Sequence, residues 1–277
     1  MNSRLAKDRR EYVIKPQEGV SPLKAQVLGF LAGDGCVAAR RGRAINTDPH
    51  LLRWFSRAVE EVYGVTPSST TTSRNRIKPL TELFLCKAIT LDLHSLATWG
   101  IHEWCVPQAV KDGREPVKAA YVRGFFDAEG TVFMSVGIGS PNKHHNNVSG
   151  TSANKEGLLE LAQIMHDLGI GHGFYPSVID GKTYWKLQVH KRSEVLRFAD
   201  KVGFESPCKR KALERVRTFP PVRKKGELYE RRLARISSLG LEEEVAPKVA
   251  RAIDCSVKQV WDARRWARKL KAAKEVS

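Results

Sequence analysis

The chain lacks several patterns that would assign it to a common class of protein. Its five cysteines form no CxxC pair and no ligand-like cluster with histidine, which excludes the usual zinc and disulfide frameworks. No apolar run reaches the ~18 residues that a membrane helix needs. The polar, charged N-terminus also lacks the core of a signal peptide. These absences predict a cytoplasmic protein with reduced thiols and no membrane partner.

Acidic residues are scarce relative to basic ones. The chain has 47 Lys and Arg against 30 Asp and Glu, a formal net charge of +17. Residues 209–277 alone contain 20 Lys and Arg against 9 Asp and Glu. No lipid anchor or strongly apolar helix accompanies this charge, so nucleic acid is favoured over a membrane surface as the polyanionic partner.

One short pattern occurs twice in the chain. The first copy is Lys24–Cys36 and the second is Ala120–Thr131. Each copy is a short apolar stretch with small residues four positions apart, followed by one acid and a glycine. The acids, Asp34 and Glu129, are 95 residues apart. This spacing predicts two copies of one domain in a single polypeptide.

The repeated pattern also predicts where the two acids lie. Small residues at i and i+4 share one face of a helix and let two helices pack closely. A glycine directly after the acid indicates a helix end, which puts Asp34 and Glu129 in the last turns of neighbouring helices. Two carboxylates at helix C-termini repel each other unless a cation neutralises them. Magnesium, which prefers carboxylate, water and phosphate oxygens, is the expected ion.

These segments resemble the two motif helices of a single-chain LAGLIDADG homing endonuclease. The similarity continues through Thr151–Gly169, Tyr184–His190 and Val195–Lys211, and covers residues 21–220. The resemblance implies an α+β fold of two pseudo-symmetric αββαββα repeats with a C-terminal all-helical extension. It further implies a monomeric, site-specific double-strand DNA endonuclease, encoded within an intron or standing free.

The expected domain organisation follows from the repeat and from composition. We expect a basic N-terminal arm (1–20), a first repeat (21–110), a second repeat (111–220) and a C-terminal helical segment (221–277). The loop over residues 137–150 of the second repeat is longer than its counterpart. One half would then reach further along a duplex, which predicts a long, asymmetric DNA target.

Hydrolysis of a phosphodiester requires a positioned water and metal charge at the attacked phosphate. Asp34 and Glu129 are expected to hold two or three Mg²⁺ ions at the repeat interface, together with Gly33 and Ala128. Asp127 precedes Glu129 by two positions and should point elsewhere on the helix, so it is expected to be structural.

The resemblance implies three further catalytic residues. Lys209 matches the family's pocket lysine, although a phosphate contact or a surface charge is the alternative. Asn154 and Asp48 match polar strand-end residues that orient water. The place in the first repeat that corresponds to Lys209, near Cys105, is not basic. This difference predicts slower cleavage of one strand.

Alternating side chains in the second repeat indicate a strand with one packed and one polar face. Its polar series could read base edges in a major groove, whereas a solvated sheet face would look the same. The first repeat has apolar residues in both phases of Leu83–Cys86, which leaves its contacts on that strand unassigned. The residues expected to contact DNA in the two repeats are Arg40, Arg41, Arg43, Arg74, Arg76, Lys143, Lys186, Gln188 and His190.

The C-terminal segment matches the buried positions of a helix-turn-helix, with Ser256 as the cap of the second helix and Asp254 where glycine is common. The matching positions are Val249, Ala250, Ile253, Cys255, Val260 and Ala263. In that arrangement the residues expected to face DNA are Lys258, Gln259, Arg264 and Arg265. A basic helical hairpin packed on the nuclease core is the alternative.

Two other functions fit the same resemblance. One bacterial family of transcription regulators joins a LAGLIDADG-like region to a C-terminal helix-turn-helix, but its motif acids are typically lost, whereas both acids are present here. An RNA maturase that binds intron RNA would use the same fold, and the basic C-terminal segment would serve it equally well.

Overall fold

The computed structural model describes residues 13–39, 41–72, 79–136, 144–218 and 225–275. They fall into two compact units: the first lies within Met1–Met134 and Asn146–Thr218, the second within Ser135–His145 and Phe219–Ser277. Most of the expected basic arm lies outside the described residues. So do four of the expected DNA contacts, Arg40, Arg74, Arg76 and Lys143.

The first repeat contains a four-stranded antiparallel sheet in the order β1-β2-β4-β3. Its elements are α1 (Pro22–Asp34), β1 (Gly35–Ala38), β2 (Arg41–Asn46), α2 (Pro49–Tyr63), β3 (Ser68–Thr72), β4 (Leu80–Leu85), α3 (Lys87–Leu96) and α4 (Gln108–Lys111). Ser21 and Asp48 cap α1 and α2 by accepting hydrogen bonds from backbone N–H groups, and each helix has a proline in its first turn.

The second repeat has the same order of elements. They are α5 (Glu115–Glu129), β5 (Gly130–Val136), β6 (His144–Ser152), α6 (Lys155–Asp167), β7 (Gly173–Ile179), β8 (Lys182–Val189), α7 (Arg192–Lys201) and α8 (Pro207–Thr218). The sheet order, β5-β6-β8-β7, is that of the first sheet. The predicted α+β fold with two repeated halves is confirmed.

Helices α1 and α5 pack backbone against backbone. A side chain on Gly29 would overlap the carbonyl oxygen of Tyr121, and one on Gly124 would overlap that of Gln26. Glycine is therefore required at both positions, as the small residues of the repeated pattern predict. Buried aromatic rings surround this helix pair, with centroid separations of 5.1 Å for Phe30 and Phe55.

One local prediction was wrong. The second half of the loop expected at residues 137–150 belongs to β6, which begins at His144 and pairs with β8 from Val148 to Ser152. This pairing uses backbone groups and does not need apolar side chains.

The second compact unit contains α9 (Lys225–Ser238), α10 (Ala246–Ala252) and α11 (Val257–Glu275). Its small core consists of Ile236, Ala246, Val249, Ala250, Ile253 and Val260. Ser256 Oγ accepts from the N–H of Gln259 at 3.2 Å, and Gln259 Oε1 accepts from the N–H of Ser256 at 3.0 Å, which closes a reciprocal cap on α11. Asp254 has a positive φ of 54° in the turn before α11.

Length and apolar character decide whether a helix can cross a membrane. Throughout the described part of the chain, no helix combines the length and the apolar character needed to cross a lipid bilayer.

Candidate active site

Asp34 is the last residue of α1 and Glu129 is the last residue of α5. The two helix ends adjoin each other: a Cβ atom on Gly33 would lie 2.6 Å from Ala128 Cβ and 2.9 Å from Glu129 Cγ. The repeated pattern puts a glycine after each acid, and both Gly35 and Gly130 have extended backbone that starts a strand. The acids therefore lie side by side where two helices stop and two sheets begin.

The pKa values of both carboxyls are raised. Burial raises the pKa of Asp34 from 3.8 to about 6, against the lowering effects of the Asn46 hydrogen bond and the Lys209 charge. Burial, and secondarily the charge of Asp34, raise the pKa of Glu129 from 4.5 to about 7, against the lowering effect of the Lys209 charge. Glu129 retains an exposed edge, while Asp34 is half-buried. A cation between the helix ends would remove this electrostatic penalty.

The groups around Asp34 and those around Glu129 are called the Asp34 half-site and the Glu129 half-site. Asn46, at the end of β2, connects Asp34 with Asp48 in the Asp34 half-site. Its Nδ2 donates to Asp34 Oδ2 at 2.5 Å, and its Oδ1 accepts from the N–H of Asp48 at 2.7 Å. Asp48 Oδ1 accepts from the N–H of His50 at 2.8 Å. Ser206 Oγ donates to the other oxygen of Asp48 at 3.3 Å. Asp34 is thus held in one orientation by a polar network that includes a residue of the second repeat.

Lys209 lies in the first turn of α8 and reaches the end of α5. Its Nζ donates to the carbonyl oxygens of Phe126 at 2.9 Å and of Asp127 at 2.6 Å. Burial lowers the pKa of Lys209, and the charges of Asp127 and Asp34 oppose that effect. An ammonium has three N–H donors, of which these carbonyls use two. The charges of Asp34 and Asp48 affect the pKa of Lys209 more than that of Glu129 does, which associates Lys209 mainly with the Asp34 half-site.

Asp127 fixes the segment that carries Lys209. Its side chain is fully buried and accepts from the backbone N–H groups of Glu205 at 2.8 Å and of Ser206 at 3.0 Å. These groups lie immediately before α8. Burial raises the pKa of Asp127 to about 6, and the two backbone hydrogen bonds oppose the rise. The position that corresponds to Asp127 in the first repeat is Ala32, which has no acceptor.

The Glu129 half-site is built from different groups. Ser152 ends β6 as Asn46 ends β2, and its Oγ accepts from the indole N–H of Trp104 at 3.3 Å. Asn154 caps α6 by accepting from the N–H of Gly157 at 3.1 Å, and its Nδ2 donates to the carbonyl of Trp104 at 2.5 Å. Both ends of the Asn154 amide are therefore used within the fold.

A cleft of about 520 Å³ borders Glu129. Its walls include the aromatic side chains of Trp99, Trp104 and Tyr184, and none of the described residues that line it is a lysine or an arginine. The two half-sites are consequently unequal, since one has Lys209 and Asn46 beside its acid and the other has Ser152 and an aromatic wall.

The donors at the helix ends suit a hard cation. Asp34 follows Gly33 at the end of α1 and Glu129 follows Ala128 at the end of α5, and these are the four residues expected to hold metal. Within the described ranges, no group of three or more His, Cys, Asp or Glu is arranged to hold an ion. An ion here would therefore complete its shell with water or phosphate, a preference typical of Mg²⁺.

The sheet of the second repeat has the predicted polar face. Lys186 and Gln188 alternate along β8 with the buried Leu187 and Val189. Lys186 is paired with Thr151 on one side and with Tyr175, which is 45% exposed, on the other. His190 follows the strand and is exposed.

The first sheet shows a face that sequence patterns did not reveal. Leu83 and Leu85 are buried, so Phe84 belongs to the opposite face, where the Arg41 guanidinium lies 5.1 Å from its ring centroid. Arg43 Nη1 lies 2.9 Å from Glu82 Oε2 on the same sheet. Arg41 and Arg43, the expected DNA contacts of the first repeat that lie in the described residues, are therefore held in defined positions.

In the second compact unit, two of the four expected DNA contacts are used internally. Gln259 belongs to the cap of α11. The Nη2 of Arg264 donates to the carbonyls of Leu241, Glu242 and Glu244 at 2.8–3.1 Å. Lys258 and Arg265 are exposed.

Sequence reasoning missed Asn46, Ser206 and Trp104 as components of the site. Asn46 stands two positions before the helix cap Asp48, and this spacing is the one signal that could have identified it. The contacts of Ser206 and Trp104 join distant segments of the chain, so local patterns contain no sign of them.

Parts of the chain are similar to known proteins. A family model for the LAGLIDADG-like domain matches residues 116–203. Homing endonuclease I-ApeI of Aeropyrum pernix is 35% identical over 112 residues, which are 40% of this chain and 46% of that relative. The match thus spans less than half of the relative's length.

Two solved structures are similar over most of their length. I-DmoI in complex with DNA and Ca is 14% identical, with 71% of this chain and 99% of that chain covered and a TM-score of 0.49. Full-length DUF199/WhiA from Thermatoga maritima is 12% identical, with 94% of each chain covered and a TM-score of 0.47. Residues 116–203 match the LAGLIDADG-like domain, and the resemblance of this chain to the LAGLIDADG homing endonucleases is confirmed.

Proposed function

We propose that the chain is a site-specific endonuclease that cleaves both strands of duplex DNA. The observation that carries this proposal is the pair of acids, Asp34 and Glu129, at the adjoining ends of α1 and α5. The minor groove of B-DNA is only ~6 Å wide, so one compact pair of carboxylates can serve scissile phosphates on both strands. The relationship to I-ApeI supports the same activity.

Asp34 and Glu129 would hold Mg²⁺, with the carbonyls of Gly33 and Ala128 as additional oxygen donors. When bound, the metal would supply positive charge at the attacked phosphate and lower the pKa of a water ligand. The number of ions, two or three, and the choice of magnesium are part of the proposal. The raised pKa values of both acids support it, because burial and mutual repulsion disfavour the two negative charges without a cation.

The remaining polar groups would act mainly at the Asp34 half-site. Asn46 holds Asp34 in a fixed orientation through the 2.5 Å hydrogen bond. Lys209 provides a positive charge beside Asp34 and one further N–H with which to orient a water or contact the phosphate. Asp48 completes this network. Asn154 stays a prediction as a water-orienting residue, although its amide already bonds the protein at both ends.

The outer faces of the two sheets would lie along the DNA. Lys186, Gln188 and Tyr175 form a polar and aromatic surface on one sheet. Arg41 on β2 and Phe84 on β4 form part of the outer face of the other sheet. Because the two faces differ in residue types, they would read different sequences, and the target would be asymmetric. We propose that the chain acts on this target as a monomer that contains both halves.

Cleavage of a plasmid library with random inserts, in Mg²⁺, tests the proposal. The wild type should yield linear product from a subset of inserts, and Asp34→Asn and Glu129→Gln should abolish it while binding is kept. Asp112→Asn, at an exposed acid that is not part of the C-terminal ends of α1 and α5, is the matched control. Binding without cleavage by the wild type would instead support a transcription regulator. Binding of intron RNA alone would support a maturase.

A further inference from the structure

One face of α11 combines three cationic side chains with a large aromatic one. Lys258, Trp261, Arg265 and Arg268 follow one another at intervals of three or four residues, so they form one stripe along the helix. All four residues are exposed, and 54% of the Trp261 surface is accessible to solvent. We refer to these four residues as the α11 stripe.

The stripe cannot turn inward, because the opposite face of the helix is packed. Val260 and Ala263 are fully buried, and Val260 belongs to the core of the second compact unit. The cap formed by Ser256 and Gln259 fixes the beginning of the helix. The helix therefore presents Trp261 to solvent among the three cations of the stripe.

Charge decides which occupant fits the stripe. Helix α11 has seven lysines and arginines against two acids, Asp262 and Glu275. A protein partner that buried Trp261 would also have to neutralise the three cations of the stripe. A nucleic acid supplies phosphates for the cations and base edges for the aromatic ring, so its chemistry accounts for all four side chains.

The preceding turn favours duplex DNA over a single strand. Helix α10, the turn at Asp254 and α11 follow one another as in a helix-turn-helix, in which the second helix enters the major groove. The first turns of that helix meet base edges, which places Lys258 and Trp261 at the bases. Lysine bonds guanine O6 and N7, and apolar side chains contact the methyl group of thymine. Arg265 and Arg268, further along the helix, would meet phosphates.

We propose that the α11 stripe reads duplex DNA in a major groove, with Lys258 and Trp261 as the residues that select bases. The inference deepens the DNA-binding part of the proposed function and rests on it. It adds a reading surface distinct from the two sheets. It also excludes Gln259 and Arg264 as base contacts, because both are bonded within the unit.

The test uses the full chain with Glu129→Gln, so that duplexes are bound without being cut. Duplexes of random sequence are selected for binding, and the consensus is compared with those of Lys258→Ala and Trp261→Ala in the same background. Val245→Ala, at an apolar residue that is 66% exposed, and Arg251→Ala, at an exposed cation of α10, are the matched controls. Arg265→Ala and Arg268→Ala are measured against salt concentration.

The expected result is a consensus with a separate group of base pairs whose preference falls roughly tenfold in Lys258→Ala and Trp261→Ala and is kept in the controls. Arg265→Ala and Arg268→Ala should weaken binding to all duplexes and lower the salt slope by about 1 each. An unchanged consensus and affinity in all four variants would overturn the inference. Loss of self-association in Trp261→Ala with unchanged DNA binding would also overturn it.

This test separates the inference from the proposed cleavage. A wild-type chain that selects the same bipartite consensus but cuts no DNA would refute the nuclease proposal and leave the α11 stripe supported. A chain that cuts DNA with a specificity unchanged by Lys258→Ala and Trp261→Ala would support the nuclease proposal and refute the inference about the α11 stripe.

Discussion

Asp127 accepts a 3.0 Å hydrogen bond from the backbone N–H of Ser206, 79 positions later in the chain. A second hydrogen bond, from the N–H of Glu205, completes the anchor. Because α8 begins at Pro207, this anchor sets the place from which Lys209 reaches the end of α5. The first repeat has Ala32 at the corresponding position, so a single half-site has such a support.

Asp127→Asn should slow cleavage of one strand more than the other. The amide replaces one acceptor oxygen with an NH₂ group that cannot bond the N–H of Glu205 or Ser206, so α8 and Lys209 lose part of their support. We expect a roughly 10- to 100-fold loss at the strand served by the Asp34 half-site. Duplexes labelled on each strand measure the two rates. Asp167→Asn is the control, and equal loss on both strands would indicate a general structural effect instead.

Lys209→Met should slow cleavage of the same strand as Asp127→Asn, and by a larger factor. The substitution keeps an apolar stem of similar length but removes the charge beside Asp34. We expect roughly a 100-fold or greater loss of the rate on that strand, with accumulation of nicked plasmid before linear product. Lys211→Met, at an exposed lysine of the same helix, is the matched control. Equal rates on both strands in Lys209→Met would contradict the proposed role.

Asn46→Ala should weaken the Asp34 half-site without changing its acid. Loss of the 2.5 Å hydrogen bond frees the Asp34 carboxylate to rotate. A roughly 10- to 100-fold loss of activity or of metal affinity is expected for such a supporting residue. Titration of cleavage with Mg²⁺ measures it. Ser152→Ala at the corresponding strand end should have a smaller effect, and an equal effect would show that the two half-sites are equivalent.

Glu129→Gln should stabilise the metal-free protein above neutral pH. The folded-state pKa of Glu129 is raised to about 7 from 4.5, so folding binds a proton, and the stability of the wild type falls as pH rises through this window. The Glu129→Gln variant has no carboxyl at this position, so its stability does not fall for this reason. Melting temperatures without metal should coincide near pH 4.5, and that of the variant should be higher at about pH 8. Mg²⁺ should raise the wild-type value at the higher pH. A constant difference across this range would refute the electrostatic argument.

Gly124→Ala should destabilise the whole first compact unit. A methyl group at this position would overlap the carbonyl oxygen of Gln26 and force α1 and α5 apart. We expect the free energy of unfolding, measured by urea denaturation, to fall by about 1–3 kcal/mol. Glu115→Ala, at an exposed residue of the same helix, should change it by less than about 0.5 kcal/mol. A stable Gly124→Ala variant would contradict the backbone contact.

Short-range sequence patterns predicted the helix ends, the packed helix faces and the helix caps, because these features depend on neighbouring residues. A glycine after each acid ended both helices, and small residues four apart marked the packed faces, so the positions of Asp34 and Glu129 followed from sequence. The cap of α11 by Ser256 and the buried positions of the C-terminal helices were also predictable, because capping and helical period depend on neighbouring residues.

Features that depend on register or on distant contacts were not predictable. The pairing of Leu83 with Ala44 decides that Phe84 faces outward, and both phases of that strand are apolar in sequence. Asn46 acquires its partner only when the end of β2 meets the end of α1. Gln259 is compatible with either an outward contact or a reciprocal cap, and the structure distinguishes the two.

The direct contact of the α1 and α5 backbones has a consequence for exchanging halves between relatives. Where side chains separate two helices, one half can be replaced and the interface repacked by small rotamer changes. Here Gly29 and Gly124 each face a main-chain oxygen, so a foreign helix with a bulkier residue at either position has nowhere to relax. A hybrid built from this chain would have to inherit both motif helices as a matched pair, and any new residues would have to be introduced on the sheets around them.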